Sequence, residues 1–335
     1  KHVITKKIPM EASKMYCRVF SENQEKESKF EFEIFKNGKF YAYGFSAVLS
    51  RRKVTGEWLY ELYQNGSAKC LFEREGSKRP VLNDGITLTN TEKNKFETYA
   101  DDFEGNETSL FLTEMNRGKK YSTRSKLLFF RDVYDWIQNH ISIITPDTPL
   151  IDLEYYYDDN SLKLINKLIK TFDTGISQVK IEEITLDELS NALPKSVFDK
   201  MMQHVKNRME EQEEPSFRMT MRSKETFFNI EVEGHSEPKV TTIRLHHNKS
   251  FYEFGFDEES DGTRRLFDLM DMLLNKREDV LYVVDELERS LHPKLTERFL
   301  QLFMQLHDEQ RMQLLFTTHE SSIMDQAIFR RDEIW

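Results

Sequence analysis

The sequence predicts an α/β protein, and three patterns along the chain support that class. Near the N-terminus, apolar and polar residues alternate around Asn-Gly pairs, which is typical of antiparallel hairpins. A middle stretch has apolar residues at helical spacing, and the last part runs from strand to helix to strand. We therefore expect an antiparallel β-subdomain first, then helices, and then a parallel sheet in the C-terminal part.

The two hairpins fall within residues 1–89, which we predict to be an antiparallel β-subdomain. FEFEIFKNGKFYAYGFSAV at 30–48 alternates on both sides of Asn37-Gly38, and EWLYELYQNGSAKCLFER at 57–74 repeats the device around Asn65-Gly66. Asn-Gly suits the two-residue turn of a hairpin because both turn positions need a positive φ.

Residues 90–214 have the spacing of helices and are predicted to form a helical insert. The run SKLLFFRDVYDWIQNHISII is closed by Pro146 and Pro149, and NSLKLINKLIKTF at 160–172 predicts a second amphipathic helix. KSVFDKMMQHVKNRMEEQEE at 195–214 predicts a third, which stops before Pro215.

Residues 215–335 are predicted to form a C-terminal lobe with a parallel sheet. Three strands, FRMTMR, FFNIEVEG and TTIRLHH, precede a helix that begins near Thr263. The strand LYVVD, a helix from Pro293 and the strand MQLLFTTH, which ends at His319, follow. Their continuous apolar residues predict strands that are buried on both faces.

The composition places the chain among globular proteins of the cytoplasm. Hydrophobic residues make up 38% and charged residues 32%, and the net charge of −10 gives no overall electrostatic attraction for nucleic acid. Cys17 and Cys70 lack metal-ligand spacing and predict a reducing compartment. No apolar run approaches the roughly 20 residues that cross a bilayer, so we expect no membrane insertion.

Three groups of polar residues could carry chemistry. Asp285 and Glu286 follow an apolar strand, where one carboxylate could hold Mg²⁺ through water and the other could orient a water for attack on a phosphate. The alternative is a helix start, because acidic residues are favoured by the helix dipole there.

The second group is ESDGTRRL at 259–266, in which Ser260, Gly262 and Thr263 precede a helix and could receive an anion; an ordinary cap by Ser260 or Asp261 is the alternative. The third is His319 at the end of a strand, where a histidine could contact a phosphate or could be a structural or surface residue. His246-His247 lie on opposite faces of a strand and do not suit one metal.

The order and spacing of these groups resemble the C-terminal half of an ABC-type ATPase. In that comparison ESDGT stands at the signature loop, VVDE at Walker B, RSLH at the D-loop and His319 at the switch histidine. SDGTRRL, DELERSLHP and LLFTTHE are similar to the OLD and SMC-like branch of prokaryotic AAA-family ATP-binding proteins, often found in abortive-infection and anti-phage systems. The signature departs from the family pattern, with Glu259 for leucine, Asp261 for the first glycine and Thr263 for glutamine.

The resemblance implies a composite site for ATP and Mg²⁺. Asp285 is the implied metal ligand, Glu286 polarises the water and His319 contacts the γ-phosphate. For Ser260, Asp261, Gly262 and Thr263 the resemblance implies a loop that covers the ATP of a second subunit. For Ser290, Leu291 and His292 it implies a relay between the two ATP sites. A head-to-tail homo-oligomer follows, with a separate effector protein such as a nuclease or toxin.

The phosphate loop G-x-x-x-x-G-K-[ST] is found nowhere in the 335 residues. Because the chain begins at Lys1 and ends in RRDEIW, which resembles the entry to another strand, we expect that loop upstream. The alternative is a noncatalytic scaffold that keeps the ATPase fold and assembles with an effector or nucleic acid.

Two basic clusters could contact nucleic acid. They are Arg51-Arg52-Lys53 and Asn116 to Lys126, NRGKKYSTRSK. Neither matches a recognised motif or shows a regular interleaving of aromatic residues, so a solvated loop is the simpler interpretation.

Overall fold

A computed structural model describes residues 1–145, 159–210, 214–222, 227–275 and 277–335. The chain forms two compact units, Lys1–Ile141 and Ser142–Trp335. The predicted division at 1–89, 90–214 and 215–335 differs from this, because the helices between residues 90 and 140 belong to the first unit. Pro146, Pro149 and most of the acidic run at 210–214 lie outside the described residues.

The first unit contains a five-stranded antiparallel sheet in the order β1-β2-β3-β4-β5. Both predicted hairpins are confirmed. Asn37 and Gly38 have φ values of 51° and 77°, as the tight turn requires. The strands are Ser28–Lys36 (β1), Lys39–Val48 (β2), Lys53–Leu62 (β3), Ala68–Glu75 (β4) and Val81–Leu82 (β5).

Helices of the first unit pack an aromatic core in which Phe72, Phe111 and Phe130 are fully buried. Phe111 lies 5.8 Å from each of the other two, between ring centroids. Glu57, also buried, accepts hydrogen bonds from the backbone N–H groups of Phe111 (2.6 Å) and Leu112 (2.9 Å). The helices are His2–Thr5 (α1), Asn90–Phe103 (α2), Phe111–Asn116 (α3) and Leu128–His140 (α4).

The second unit combines an antiparallel sheet, a smaller sheet with parallel pairing, and helices. Its helices are Asp159–Ile169 (α5), Leu186–Ala192 (α6), Lys195–Glu210 (α7), Asp261–Leu274 (α8) and Pro293–His307 (α9). The strands are Ile141–Ile144 (β6), Ile176–Ile184 (β7), Ser216–Arg222 (β8), Phe227–Glu233 (β9), Lys239–His247 (β10), Glu253–Gly255 (β11), Val280–Val284 (β12) and Met312–Phe316 (β13).

The larger sheet of this unit includes a strand from residues 90–214, which were predicted to form a helical insert. Its order is β11-β10-β9-β8, and β7, from within residues 90–214, pairs antiparallel with β10. The segment ISQVKIEEI buries Ile176 and Val179, so its apolar residues face the core of the second unit. Helices therefore account for only part of that stretch.

The smaller sheet has the order β13-β12-β6, with β12 and β13 parallel and in register from Val280↔Met312 to Val284↔Phe316. Apolar side chains of α8 and α9 belong to the same buried core as those of β12. The α/β class, with antiparallel sheet near the N-terminus and parallel pairing in the C-terminal part, is confirmed.

Two details of this sheet differ from the sequence prediction. β13 ends at Phe316, three residues before His319. It is also not buried on both faces, since the side chain of Leu315 is 59% exposed. β13 is the edge strand of the described sheet, so its outer face lacks the cover that a central strand has.

Candidate functional site

The parallel pairing of β12 with β13 brings the predicted catalytic residues to one edge of the sheet. Asp285 and Glu286 follow the last residue of β12, and Thr317 to His319 follow β13. The Thr317 N–H donates to the Val284 carbonyl (3.0 Å), and the Leu287 N–H donates to the Thr317 carbonyl (3.1 Å). The two strand ends are therefore fixed against each other.

Thr317 is a positioning residue that the sequence analysis missed. Its hydroxyl donates to Asp285 Oδ1 (2.7 Å) and accepts a hydrogen bond from the Glu286 N–H (2.8 Å). One side chain thus orients both carboxylate residues. The repeated hydroxyls of TTH, directly after an apolar strand, were the available signal.

Glu286 occupies a left-handed backbone conformation, with φ 48°. A non-glycine residue there costs roughly 1–2 kcal/mol, and such conformations concentrate at functional sites. Its Oε1 lies 3.7 Å from His319 Nε2, and its Oε2 lies 4.0 Å from Arg289 Nη1. The side chains of Glu286 and His319 are 39% and 84% exposed, so water and a ligand can reach both.

Glu288 holds the backbone of His319 and was also missed from the sequence. Its Oε1 accepts a hydrogen bond from the His319 N–H at 2.7 Å. Burial raises the pKa of the Glu288 carboxyl, but hydrogen bonds led by the one from His319 outweigh it, so the pKa is lowered overall. An ionised Glu288 therefore anchors the segment that carries His319.

The turn after Glu286 contains Ser290, Leu291 and His292 of the RSLH segment, which resembles a D-loop. Ser290 is exposed and has a positive φ of 64°. Leu291 is buried, and its N–H donates to the Glu288 carbonyl at 2.7 Å. His292 caps α9, with its Nδ1 accepting from the Lys294 N–H at 3.3 Å.

The signature-like loop caps α8, as the simpler interpretation predicted. The Ser260 hydroxyl accepts a hydrogen bond from the Thr263 N–H at 3.1 Å. The Asp261 carboxylate is 79% exposed and pairs with the Arg264 guanidinium at 2.7 Å. This pairing offsets the negative charge that Asp261 brings to the loop.

Gly262 joins the signature-like loop to the D-loop-like turn. A Cβ at Gly262 would lie 2.6 Å from the Ser290 carbonyl oxygen, closer than real Cβ atoms approach. Only glycine fits without a shift of the backbone. The site residues thus form two groups, one around Glu286 and His319 and the other around Gly262 and Ser290.

Glu259, which stands where the resemblance expects leucine, is held by His247. The His247 Nε2 and Glu259 Oε1 lie 2.6 Å apart, and the Glu259 side chain is only 6% exposed. The β10 pairing with β7 shifts register between His246 and His247. His247 is therefore a satisfied partner of the loop.

The described residues contain no group of three or more His, Cys, Asp or Glu side chains placed to hold a metal ion. Mg²⁺ needs fewer protein ligands, because it usually keeps several waters and is held by one or two carboxylates together with phosphates. The exposed carboxylate of Asp285, fixed through Oδ1 by Thr317, fits that requirement.

The family of the chain follows from its sequence as a whole. The profile of the family described as "AAA domain, putative AbiEii toxin, Type IV TA system" matches residues 18–325. The chain belongs to this family. As a member of an AAA-domain family it is an ATPase-type domain, and nucleotide binding is the property that the family implies.

Comparison with solved structures adds little to the family assignment. Fourteen chains match, among them the SMC head of the structure described as "Crystal structure of the SmcHead bound to the C-winged helix domain of ScpA". It is 11% identical, covers 85% of this chain and 68% of that chain, and has a TM-score of 0.28, too low to carry an argument. No curated protein matches this AAA-domain chain. None of its described helices has the length and apolar character needed to cross a bilayer.

Proposed function

We propose that the chain is the hydrolytic and dimer-forming part of an ABC-type ATP switch. The observation that carries this proposal is the position of Glu286 Oε1, 3.7 Å from His319 Nε2 at the ends of two parallel strands. A carboxylate and an imidazole at the carboxyl edge of a parallel sheet suit a ligand that binds there.

The residues of this edge have separate tasks in the proposed reaction. Glu286 orients the attacking water through its exposed carboxylate, and His319 donates a hydrogen bond to the γ-phosphate. Asp285 would hold Mg²⁺, which would supply neutralisation of charge on the phosphates. Thr317 keeps the Asp285 carboxylate and the Glu286 backbone in place.

The second group of residues is proposed to act on the ATP of another copy of the chain. The Ser260 hydroxyl and the first N–H groups of α8, at Asp261 and Gly262, form an anion-binding helix start, and the Thr263 N–H holds the Ser260 hydroxyl in place. The tight contact of Gly262 with Ser290 couples this loop to the turn that begins at Glu286. We propose that Ser290, Leu291 and His292 relay nucleotide occupancy in a head-to-tail dimer.

This chemistry needs a phosphate loop, and we propose that the strand carrying that loop pairs with the open edge of β13. β13 is the edge strand of the described sheet, and Leu315 on it is 59% exposed. A parallel sheet is normally covered, and an open edge favours addition of another strand. A strand added there would place its phosphate loop next to Thr317 and His319.

The switch is proposed to control a separate effector protein, such as a nuclease or toxin, in anti-phage defence. The family description, "AAA domain, putative AbiEii toxin, Type IV TA system", supports a link to a toxin–antitoxin system. Free cysteines at positions 17 and 70 support a reducing compartment such as the cytoplasm.

The test is Glu286→Gln in the protein as the cell encodes it. Hydrolysis should fall at least about 100-fold, the scale expected for loss of a water-activating group, while ATP-dependent dimers persist in sedimentation. The control is Glu297→Gln, the same chemical change at an exposed position of α9. Unchanged turnover in Glu286→Gln would remove that residue from its role, and absence of ATP binding in calorimetry would favour the scaffold.

A further inference from the structure

The loop between α3 and α4 concentrates positive charge on an acidic protein. Residues 117–126, RGKKYSTRSK, hold five cations and no carboxylate, and we name them the basic loop. Residues 1–141 carry 24 Lys and Arg against 20 Asp and Glu, whereas residues 142–335 carry 24 against 38. The net charge of −10 therefore conceals a first unit of net charge +4.

Aromatic rings lie against several of these cations, an arrangement that the sequence alone did not show. Lys119 Nζ lies 3.7 Å from the ring centroid of Tyr99, and Lys95 Nζ lies 4.3 Å from that of Tyr121. The Arg131 guanidinium carbon lies 5.8 Å from the same Tyr121 ring. α2 and α4 thus supply the interleaving of aromatic and basic side chains that the linear sequence lacked.

Positive groups crowd the inner side of the basic loop. The Lys95 ammonium donates to the Lys120 carbonyl at 3.0 Å, and Arg131 donates to the Lys119 carbonyl. Burial lowers the pKa of Lys95, and the positive charges of Lys119 and Arg131 lower it further. Lys119 pairs with Glu114 at 2.6 Å and Arg131 with Asp135 at 3.4 Å, so the positive charge open to an anion lies on the outer side of the loop.

Glu92 of α2 fixes the C-terminal end of the basic loop. Its Oε1 accepts hydrogen bonds from the Ser125 hydroxyl and from the Lys126 N–H, both at 2.8 Å. Its other carboxylate oxygen, Oε2, accepts from the N–H of Thr89, which caps α2, at 3.0 Å. The loop is therefore held in place rather than left to find its shape on binding.

The outer side of the basic loop presents cations to solvent. Arg117, Lys120, Arg124 and Lys126 are exposed. Among the described residues, no ion pair involves Lys120, Arg124 or Lys126, and Arg117 is paired only at 3.9 Å with Glu114 on the surface. Exposed hydroxyls of residues 122 and 123 lie between these cations in the sequence.

We propose that the basic loop binds the phosphate backbone of a double-stranded nucleic acid without reading its sequence. Lysine, arginine and hydroxyl side chains are the groups that contact phosphates, and the loop offers all three. Single-strand binders need free aromatic faces for base stacking, but a cation of this chain already lies over a face of Tyr99 and of Tyr121. A duplex backbone is therefore the occupant that fits.

The test is fluorescence anisotropy of the 335-residue chain with a labelled DNA duplex of about 21 base pairs, two helical turns, without ATP. With about four phosphate contacts, the slope of log K against log salt should be about −3 to −4. Lys120→Gln/Arg124→Gln should reduce the slope by about 2 and weaken binding at least ~10-fold at low salt. Duplexes of unrelated sequence should bind equally.

The matched control is Lys163→Gln/Lys167→Gln, which removes two exposed cations from α5. It should leave both slope and affinity unchanged, and Lys120→Arg/Arg124→Lys should retain binding. An RNA duplex in a parallel arm tells DNA from RNA, and binding of either supports the proposal. Tighter binding of a single strand, equal binding of polyglutamate, or an unchanged slope in Lys120→Gln/Arg124→Gln would overturn it.

Discussion

The missing side chain of Gly262 leaves room for the carbonyl oxygen of Ser290, which would otherwise lie 2.6 Å from a Cβ. We expect Gly262→Ala to shift the turn and to lower the free energy of unfolding by about 1–3 kcal/mol, as overpacking does. Urea denaturation measures this loss. Ser290→Ala keeps the carbonyl and serves as the control, with a change below about 0.5 kcal/mol. Equal stability of Gly262→Ala and the native chain would show that the Ser290 carbonyl can move aside at no cost.

Thr317→Val should separate positioning from stability at the sheet edge. The substitution removes the hydroxyl that bonds Asp285 and Glu286, but both carboxylates are within reach of water. The free energy of unfolding should fall by about 1 kcal/mol or less, whereas ATP turnover by the encoded protein should fall about 10- to 100-fold. Thr317→Ser keeps the hydroxyl and should restore turnover; full activity in Thr317→Val would contradict the positioning role.

Local rules were enough to predict much of the fold. The turn at Asn37-Gly38 and the helix start at Pro293 depend on residues next to one another, so the sequence contains all that decides them. The pairing of β7 with β10 joins strands that are far apart in sequence, and no local pattern selects that partner. Periodicity also cannot tell an edge strand from a central one, which explains the exposure of Leu315.

The part of the candidate site that lies at the ends of strands could be predicted from the sequence. Asp285, Glu286 and His319 were found because carboxyl ends of parallel strands share an edge. Thr317 and Glu288 were missed, because their roles depend on contacts to residues about 31 positions away that only the folded chain brings near. The cation–π contact of Lys119 with the Tyr99 ring was not predicted for the same reason.

Glu92 should make the basic loop sensitive to acid. Burial raises the pKa of its carboxyl, but hydrogen bonds from Thr89, Ser125 and the Lys126 backbone lower it to about 2, from an ordinary value of 4.5. Because the folded pKa is the lower one, the stabilisation is complete above about pH 4.5 and is lost as the pH falls towards 2. Solvent screening limits it to about 1 kcal/mol or less. Glu92→Gln should flatten this part of the stability–pH curve, measured by urea denaturation; an unchanged curve would exclude Glu92 as its source.

The pair of His247 and Glu259 should position the signature-like loop for the proposed dimer. Glu259 directly precedes Ser260, so the hydrogen bond that ties it to β10 sets where α8 begins. His247→Gln or Glu259→Leu should loosen the loop and weaken ATP-dependent dimerisation about 10-fold, measured by sedimentation at several protein concentrations.

The double substitution His247→Leu/Glu259→Leu replaces a mostly buried polar pair with apolar contact, which is often neutral or stabilising, so the fold should survive. In a double-mutant cycle the two single changes should couple by about 0.5–3 kcal/mol in dimerisation. Turnover per assembled dimer should stay unchanged, because Glu286 and His319 follow β12 and β13 and belong to neither β10 nor α8; a loss confined to turnover would place His247 in the chemistry instead.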